Sequence, residues 1–210
     1  MKKLIIILFI VMVGAASCAK MQKKEIAKKN GATSFQPKPL DDEWSKWLVG
    51  QWEGSGKSDA GAGKCRTEIE FGLNGQFLIM KGESQIDEPT AEQIKYLKET
   101  LNASDEEIEK FQNSIFKDLE IYTIDPKTGE RIGYLFDSMR CIATGTGRLQ
   151  GNREIMEWVW SGTAQGATSV SIIEKISNNK FTINHKYTLP NGNKMEDKVE
   201  MTRVKVTAEK

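Results

Sequence analysis

The chain has 210 residues, which is enough for one domain with a hydrophobic core plus a leader and a linker, but short for two domains. Its 30 lysine and arginine residues are balanced by 29 aspartate and glutamate residues. This balance argues against nucleic acid as a partner, because phosphate binding needs a concentrated basic face.

The N-terminus has the pattern of an export signal. A basic start at Lys2 and Lys3 precedes the apolar run Leu4 to Val13, and small residues from Gly14 to Ser17 lead to a cysteine. The apolar run is too short for a spanning helix, which needs about 20 residues. We therefore predict that residues 1–18 are a signal peptide that is removed from the mature protein.

The end of this signal, Ala15 to Cys18, resembles the lipobox of bacterial lipoproteins, in which the cysteine is acylated and becomes the new N-terminus. The resemblance implies an exported protein that Cys18 anchors in a membrane of the cell envelope, facing the periplasm or the cell exterior. Ordinary cleavage after Ser17 or Ala19, which would release a free protein, is the alternative. Residues 19–43 are rich in lysine and poor in apolar residues, so we expect a flexible tether.

The remainder, residues 44–206, is predicted to be one β-domain. Apolar and polar residues alternate in ten runs, which are separated by turn sequences such as Asn74-Gly75 and Asn191-Gly192. The predicted strands lie near residues 47–57, 64–71, 76–86, 119–125, 131–137, 139–149, 154–161, 167–176, 180–188 and 194–206.

The period changes between the third and fourth strands, in residues 90–116. Ile94 and Leu97 fall on one helical stripe, Ile108 and Phe111 fall on another, and the sequence from Ser104 to Glu107 is typical of a capping box. We therefore predict a two-helix insertion. The fold class is all-β: an antiparallel up-and-down barrel of about ten strands, because closure removes exposed sheet edges. A two-sheet sandwich is the alternative.

The first strand carries Gly50-x-Trp52, followed by Gly54 and Gly56, and resembles the calycin superfamily of lipocalins, fatty-acid-binding proteins and nitrobindin-like barrels. The segment Ile132 to Met139 and the ending Met201 to Arg203 are similar to strands of the DUF1579 family of uncharacterised bacterial proteins. The resemblance covers residues 48–204. It implies a barrel fold and no assigned activity.

Three residues are predicted to close the barrel, namely Gly50, Trp52 and Arg203. Alternation along the last strand places Met201 and Arg203 on its inner face, next to the first strand. The guanidinium of Arg203 can then stack on Trp52. In lipocalins a tryptophan and an arginine close the barrel floor in this way, which implies a structural role for the pair.

A second group of residues is predicted to line a ligand pocket. Aromatic residues recur with period two in the later strands, and a few polar residues lie among them, as in small-molecule sites. Core packing is the alternative for each. The candidates are Tyr134, Asp137, Arg140, Trp158, Trp160, His185 and Tyr187.

His185 is the only histidine of the chain. The resemblance to nitrobindin-like barrels implies one hypothesis, in which His185 ligates a haem iron. The favoured interpretation is a hydrogen-bonded interior histidine. One histidine and two separated cysteines make no zinc site, and we assign no metal or catalytic residues. Cys65 and Cys141 form either a disulfide bond, if their Cα atoms lie within about 7 Å, or two buried thiols.

These features favour a tethered binding protein that holds a small apolar or amphipathic molecule in its barrel. The alternative is an interaction protein with a filled barrel, whose helical insertion docks an unidentified partner through an exposed stripe at Ile94, Leu97, Ile108 and Phe111. An enzyme is the least favoured hypothesis, because it would need His185 beside Asp137 or Asp197 as an acid or base.

Overall fold

The computed structural model describes residues 37–58, 61–99 and 104–205. Ten antiparallel strands form one closed barrel in which each strand pairs with its sequence neighbours and β10 pairs with β1. The predicted fold class is therefore confirmed, and the two-sheet sandwich is excluded. The strands are β1 Gly50–Ser58, β2 Gly61–Gly72, β3 Phe77–Pro89, β4 Phe116–Ile124, β5 Arg131–Asp137, β6 Cys141–Gln150, β7 Arg153–Gly162, β8 Thr168–Ser177, β9 Lys180–Thr188 and β10 Lys194–Arg203.

The predicted signal peptide, the lipidation site Cys18 and most of the predicted tether lie outside the described residues. None of the helices that the structure describes has the length and apolar character needed to cross a membrane.

The first element is a short helix, α1, spanning Glu43–Leu48. Asp42 caps it, because its side chain accepts a hydrogen bond of 2.9 Å from the backbone N–H of Ser45. The expectation that the first strand begins at Trp47 is wrong, since the helix extends to Leu48 and the strand begins at Gly50. A helix of six residues is too short to show a clear period in the sequence.

Helix α1 covers one end of the barrel. Trp44 and Leu48 are buried, and the Trp47 ring lies 5.7 Å from Trp52 and 5.9 Å from Phe181 between ring centroids. Trp52 and Phe181 contact each other edge-to-face at 4.6 Å. This aromatic cluster closes the barrel at the end where β1 begins and β10 finishes.

The insertion between β3 and β4 contains helices α2, Ala91–Glu99, and α3, Asp105–Gln112. The capping box at Ser104 is confirmed: its side chain accepts from the Glu107 N–H, and the Glu107 carboxylate accepts from the Ser104 N–H at 2.8 Å. Leu97 and Ile108 are buried, so the stripe that the interaction hypothesis requires on the surface faces protein instead.

Candidate functional site

The three residues predicted to close the barrel lie together at the α1 end. The Arg203 guanidinium stacks over the Trp52 ring at 4.1 Å from its centroid, and it donates hydrogen bonds to the carbonyls of Val49 (2.6 Å) and Trp47. Gly50 leaves room for this arginine, because a Cβ at position 50 would lie 2.4 Å from its Nη1. Arg203 thereby joins the loop after α1 to the last strand.

The barrel interior contains a cavity of about 330 Å³. A second chamber of about 560 Å³ lies at the end opposite α1, where it is lined by Phe111 of α3, Met139, Leu189 and other apolar residues. The two volumes share lining residues, among them Phe116, Trp160, Tyr187 and Asp197. Both volumes lie in the range of small-molecule sites, about 300–1,000 Å³.

Five of the seven predicted pocket residues line the cavity: the acidic Asp137 and the ring-bearing Trp158, Trp160, His185 and Tyr187. His185 hydrogen-bonds through Nε2 to the Ser169 hydroxyl at 2.8 Å and through Nδ1 to the Tyr187 hydroxyl at 2.9 Å. The Trp160 indole N–H donates to the same Ser169 oxygen at 2.8 Å. This hydrogen-bond network holds the rings of Trp160, His185 and Tyr187 together as one wall of the cavity.

His185 is neutral at physiological pH, because burial lowers its pKa to about 4. Both ring nitrogens are engaged by Ser169 and Tyr187, and neither is bonded to Asp137 or Asp197. The histidine therefore offers no free nitrogen to a haem iron, and it is not hydrogen-bonded to either aspartate named in the enzyme hypothesis. The arrangement matches the interior, hydrogen-bonded histidine.

Acidic side chains occupy the opposite wall. Asp118 on β4 and Asp137 on β5 are direct cross-strand partners, and on its other side Asp118 faces Gly82 of β3. A Cβ at Gly82 would lie 2.0 Å from both carboxylate oxygens of Asp118, so the glycine provides the space for this group. Burial and the nearby Asp137 raise the pKa of Asp118 to about 6.

Glu120 extends this acidic wall deeper into the barrel. One of its oxygens accepts a hydrogen bond from the hydroxyl of Tyr122, its neighbour on the same strand face. Burial, with a smaller contribution from Asp118, raises the pKa of Glu120 to about 8. Glu120 is therefore largely protonated at neutral pH.

The other predicted pocket residues are placed differently. Asp137 lines the cavity, but its Oδ1 also accepts from the backbone N–H groups of Met139 (2.8 Å) and Cys141 (2.9 Å), which fixes the turn after β5. Arg140 lies in that turn with a φ of 63° and is exposed. Tyr134 is 42% exposed on the outer face of β5, so neither it nor Arg140 lines the barrel cavity.

The outward position of Tyr134 has a packing reason. The Trp158 ring fills the space over Gly133 and Gly145, where a Cβ would approach the ring to 2.7 Å and 2.6 Å respectively. The inner face of β5 is therefore taken by Gly133 and Leu135, and the alternating Tyr134 and Phe136 point outward.

Cys65 and Cys141 are free thiols in the structure, not a disulfide. Burial raises the pKa of each to about 11, so both are uncharged and unreactive at neutral pH. Cys65 contacts the sulfur of Met201 at 3.3 Å. The two thiols are therefore free, as in the second alternative, but they are half-buried against the core and not fully buried.

Sequence reasoning did not identify Asp118 and Glu120. On β4 the apolar Leu119 and Ile121 alternate with the two acids, and polar-outward alternation places Asp118 and Glu120 in solvent. The structure has the reverse orientation, with Leu119 37% exposed. One residue in the sequence could have indicated the true orientation: Tyr122 lies on the same strand face as Asp118 and Glu120, and it belongs to the core.

No protein-family model and no curated protein matches this chain. Among solved structures, the chain is similar to an S-type phycobiliprotein lyase from Guillardia theta, with 12% identity and a TM-score of 0.49 over 79% of this chain and 93% of that one. A second similar structure is the protein EF1p2_mFAP2b bound to DFHBI, with 8% identity and a TM-score of 0.37 over 76% and 96% of the two chains.

A third is a protein with unknown function of the DUF3598 family from Nostoc punctiforme. It shares 10% identity at a TM-score of 0.27, over 79% of this chain and 100% of that chain. Identities of this size carry no information on function, so the function has to be inferred from the cavity itself.

Proposed function

We propose that the protein is an exported binding protein that holds a small amphipathic molecule inside its barrel. The observation that carries this proposal is the cavity of about 330 Å³, whose wall combines large apolar and aromatic side chains with a few polar groups. Such a wall can desolvate the apolar part of a ligand while its polar groups fix the orientation. The apolar second chamber gives the ligand a path or a place for a tail.

The interaction hypothesis has less support. It requires a filled barrel and an exposed apolar stripe on the insertion, whereas the interior contains space and both Leu97 and Ile108 are buried. In the binding hypothesis these helices instead form the rim of the second chamber, because Phe111 of α3 lines it and contacts Phe116 at 5.2 Å.

Tethering through Cys18 is part of the same proposal. The basic start, the short apolar run and the small residues before Cys18 support an acylated N-terminus in the cell envelope. The DUF1579-like motifs near Trp52, Asp137 and Arg203 support descent from calycin-type barrels. A lipid anchor would hold the binding domain close to a membrane surface.

Filling the cavity with a larger side chain is expected to weaken ligand binding strongly. Val199 lines both chambers, so Val199→Trp should weaken the binding of decylamine and decanol at least about tenfold, because the indole occupies the ligand volume. Isothermal titration calorimetry measures both affinities. The matched control is Val170→Trp on the outer face of β8, where the valine is 37% exposed. Undiminished binding by a folded Val199→Trp variant would contradict the proposal.

A further inference from the structure

The two chambers differ in chemistry. Asp118 and Glu120 border only the deep cavity, and Asp137 and Asp197 border both volumes. The other residues that line the chamber beside α3 are mainly apolar, with Lys57 and Lys64 among the polar ones. Lys117 is the one lysine or arginine among the described residues that border the deep cavity, and its ammonium pairs with the exposed Glu83 at 2.9 Å. No described lysine or arginine side chain forms an ion pair with Asp118 or Glu120 inside this cavity.

Two of these carboxylates lack the partners that such groups normally have. The Asp118 carboxylate makes no hydrogen bond or ion pair with any described residue, and it stands directly opposite Asp137, which carries a like charge. Directly opposed side chains have Cβ atoms about 4.5–5.5 Å apart, and like charges at that distance destabilise a sheet. Glu120 uses one oxygen to accept from Tyr122, and its other oxygen has no partner among the described residues.

We infer that the ligand is an amphipathic organic cation, with its charged group against Asp118 and Glu120 and its apolar part directed to the chamber beside α3. This inference rests on the proposed function and specifies the class of ligand. A cation in the deep cavity would supply a counter-charge for these carboxylates, whose mutual repulsion destabilises the fold.

The aromatic walls fit the same ligand. Tyr122 and Trp158 meet edge-to-face at 6.0 Å, and Trp160 lies beyond them on the same strand face as Trp158. Ring faces attract cations, most strongly where water is excluded. A metal ion fits less well, because no three His, Cys, Asp or Glu side chains within the described residues are grouped as a metal site would require.

Calorimetry with three probes of equal chain length tests the inference at pH 8, using decylamine, decanol and decanoate. A primary alkylamine resembles a lysine side chain, with a pKa of about 10.4, so decylamine is charged at this pH. Decylamine should bind at least about tenfold more tightly than decanol, and decanoate should bind most weakly, because one unit charge against an acidic wall is worth at least about 1.4 kcal/mol.

Asp118→Asn provides the matched variant. It should weaken decylamine binding about tenfold and leave decanol binding within about twofold, since the amide keeps the shape and removes the charge. The control is Glu68→Gln, an exposed carboxylate on the outer face of β2, which should change neither affinity. Decanoate or decanol binding as tightly as decylamine, or no effect of Asp118→Asn, would overturn the inference and leave the binding function standing. Failure of all three probes to bind would overturn both.

The pH dependence gives a second readout. The titratable groups that face Asp118 and Glu120 are Asp137 on β5, Asp197 on β10, Cys65 on β2, Tyr122 on β4, Glu154 on β7, and His185 and Tyr187 on β9. Glu83 on β3 and Lys117 on β4 also border the cavity. The pKa of His185 is about 4 and that of Cys65 about 11, while burial raises the pKa of both tyrosines, so these four groups do not titrate between pH 5 and pH 9.

The pKa of Asp118 is about 6 and that of Glu120 about 8, so both ionise as the pH rises through this window. Decylamine affinity should therefore increase at least about tenfold from pH 5 to pH 8, with proton release on binding. Decanol affinity should stay nearly constant. An affinity for decylamine that falls with rising pH would overturn the inference.

Discussion

Replacement of Arg131 by methionine is expected to lower the free energy of unfolding by about 3–5 kcal/mol, because it leaves a buried carboxylate without its counter-ion. Arg131 is 2% exposed, and its Nε lies 2.8 Å from Glu154, a residue that is itself buried. Its Nη2 lies 3.1 Å from Asp42 and 3.2 Å from the Ser45 hydroxyl. Arg131 thus joins the inner face of β5 to β7 and to the start of α1.

The destabilisation by Arg131→Met depends on pH, and the direction of this dependence follows from Glu154. Burial already raises its pKa despite Arg131, which acts in the opposite direction, and loss of the arginine raises it further. A carboxyl with a raised pKa in the folded state contributes stability that is lost as the pH rises above its ordinary pKa of 4.5. The destabilisation by Arg131→Met should therefore be smaller at pH 5 than at pH 8, as measured by urea unfolding.

Two further variants distinguish the effect of the buried ion pair on stability from the effect of losing an arginine side chain. The double variant Arg131→Met, Glu154→Leu should recover most of the lost stability, because a buried pair replaced by apolar groups of similar size is often neutral. Arg153→Met is the control: this neighbouring arginine forms an exposed pair with Glu174 at 2.9 Å, and its loss should cost less than about 1 kcal/mol. Equal losses for Arg131→Met and Arg153→Met would contradict the account.

Glu120→Gln is expected to make the protein more stable than the wild type at pH 9, by about 1–3 kcal/mol. The pKa of Glu120 in the folded protein is about 8, against an ordinary value of 4.5, so folding opposes its ionisation. Its stabilising contribution is complete below about pH 4.5 and is lost as the pH rises through 8. Glutamine resembles the protonated acid and still accepts from Tyr122, so it escapes this loss.

Urea unfolding at pH 5, 7 and 9 measures the effect. The difference between Glu120→Gln and the wild type should be smallest at pH 5 and should grow with pH. Glu68→Gln, on the outer face of β2, should show no such trend. A constant difference, or a variant that is less stable at pH 9, would show that Glu120 does not oppose folding when ionised. A residue that reduces the stability of the folded protein is typical of a functional site.

The sequence was sufficient for the barrel, because the alternation that marks each strand is local and most of the turns between strands carry glycine, asparagine or proline. It also indicated the inner faces of β9 and β10, where Phe181, His185 and Met201 alternate with polar residues. Helix α1 was missed since six residues are too few to show a helical period. Both helices of the insertion are longer and carry apolar stripes, and both were predicted.

The candidate site was only partly predictable, because the faces of β4 and β5 depend on other strands. Gly133 faces inward to make room for Trp158 from β7, which forces Tyr134 outward. Asp118 faces inward where Gly82 of β3 leaves space for its carboxylate. Neither relation is visible within one strand, and the rule that charged residues face solvent gives the opposite result on β4.

The most direct test of interior binding uses the tryptophan indole N–H groups, which nuclear magnetic resonance resolves individually in ¹⁵N-labelled protein. The chain has five tryptophans: Trp158 and Trp160 line the cavity, whereas Trp44, Trp47 and Trp52 lie at the closed end. Addition of decylamine should shift the Trp158 and Trp160 signals and leave the other three unchanged. Shifts confined to the closed-end tryptophans, or no shifts at saturating decylamine, would contradict a ligand site inside the barrel.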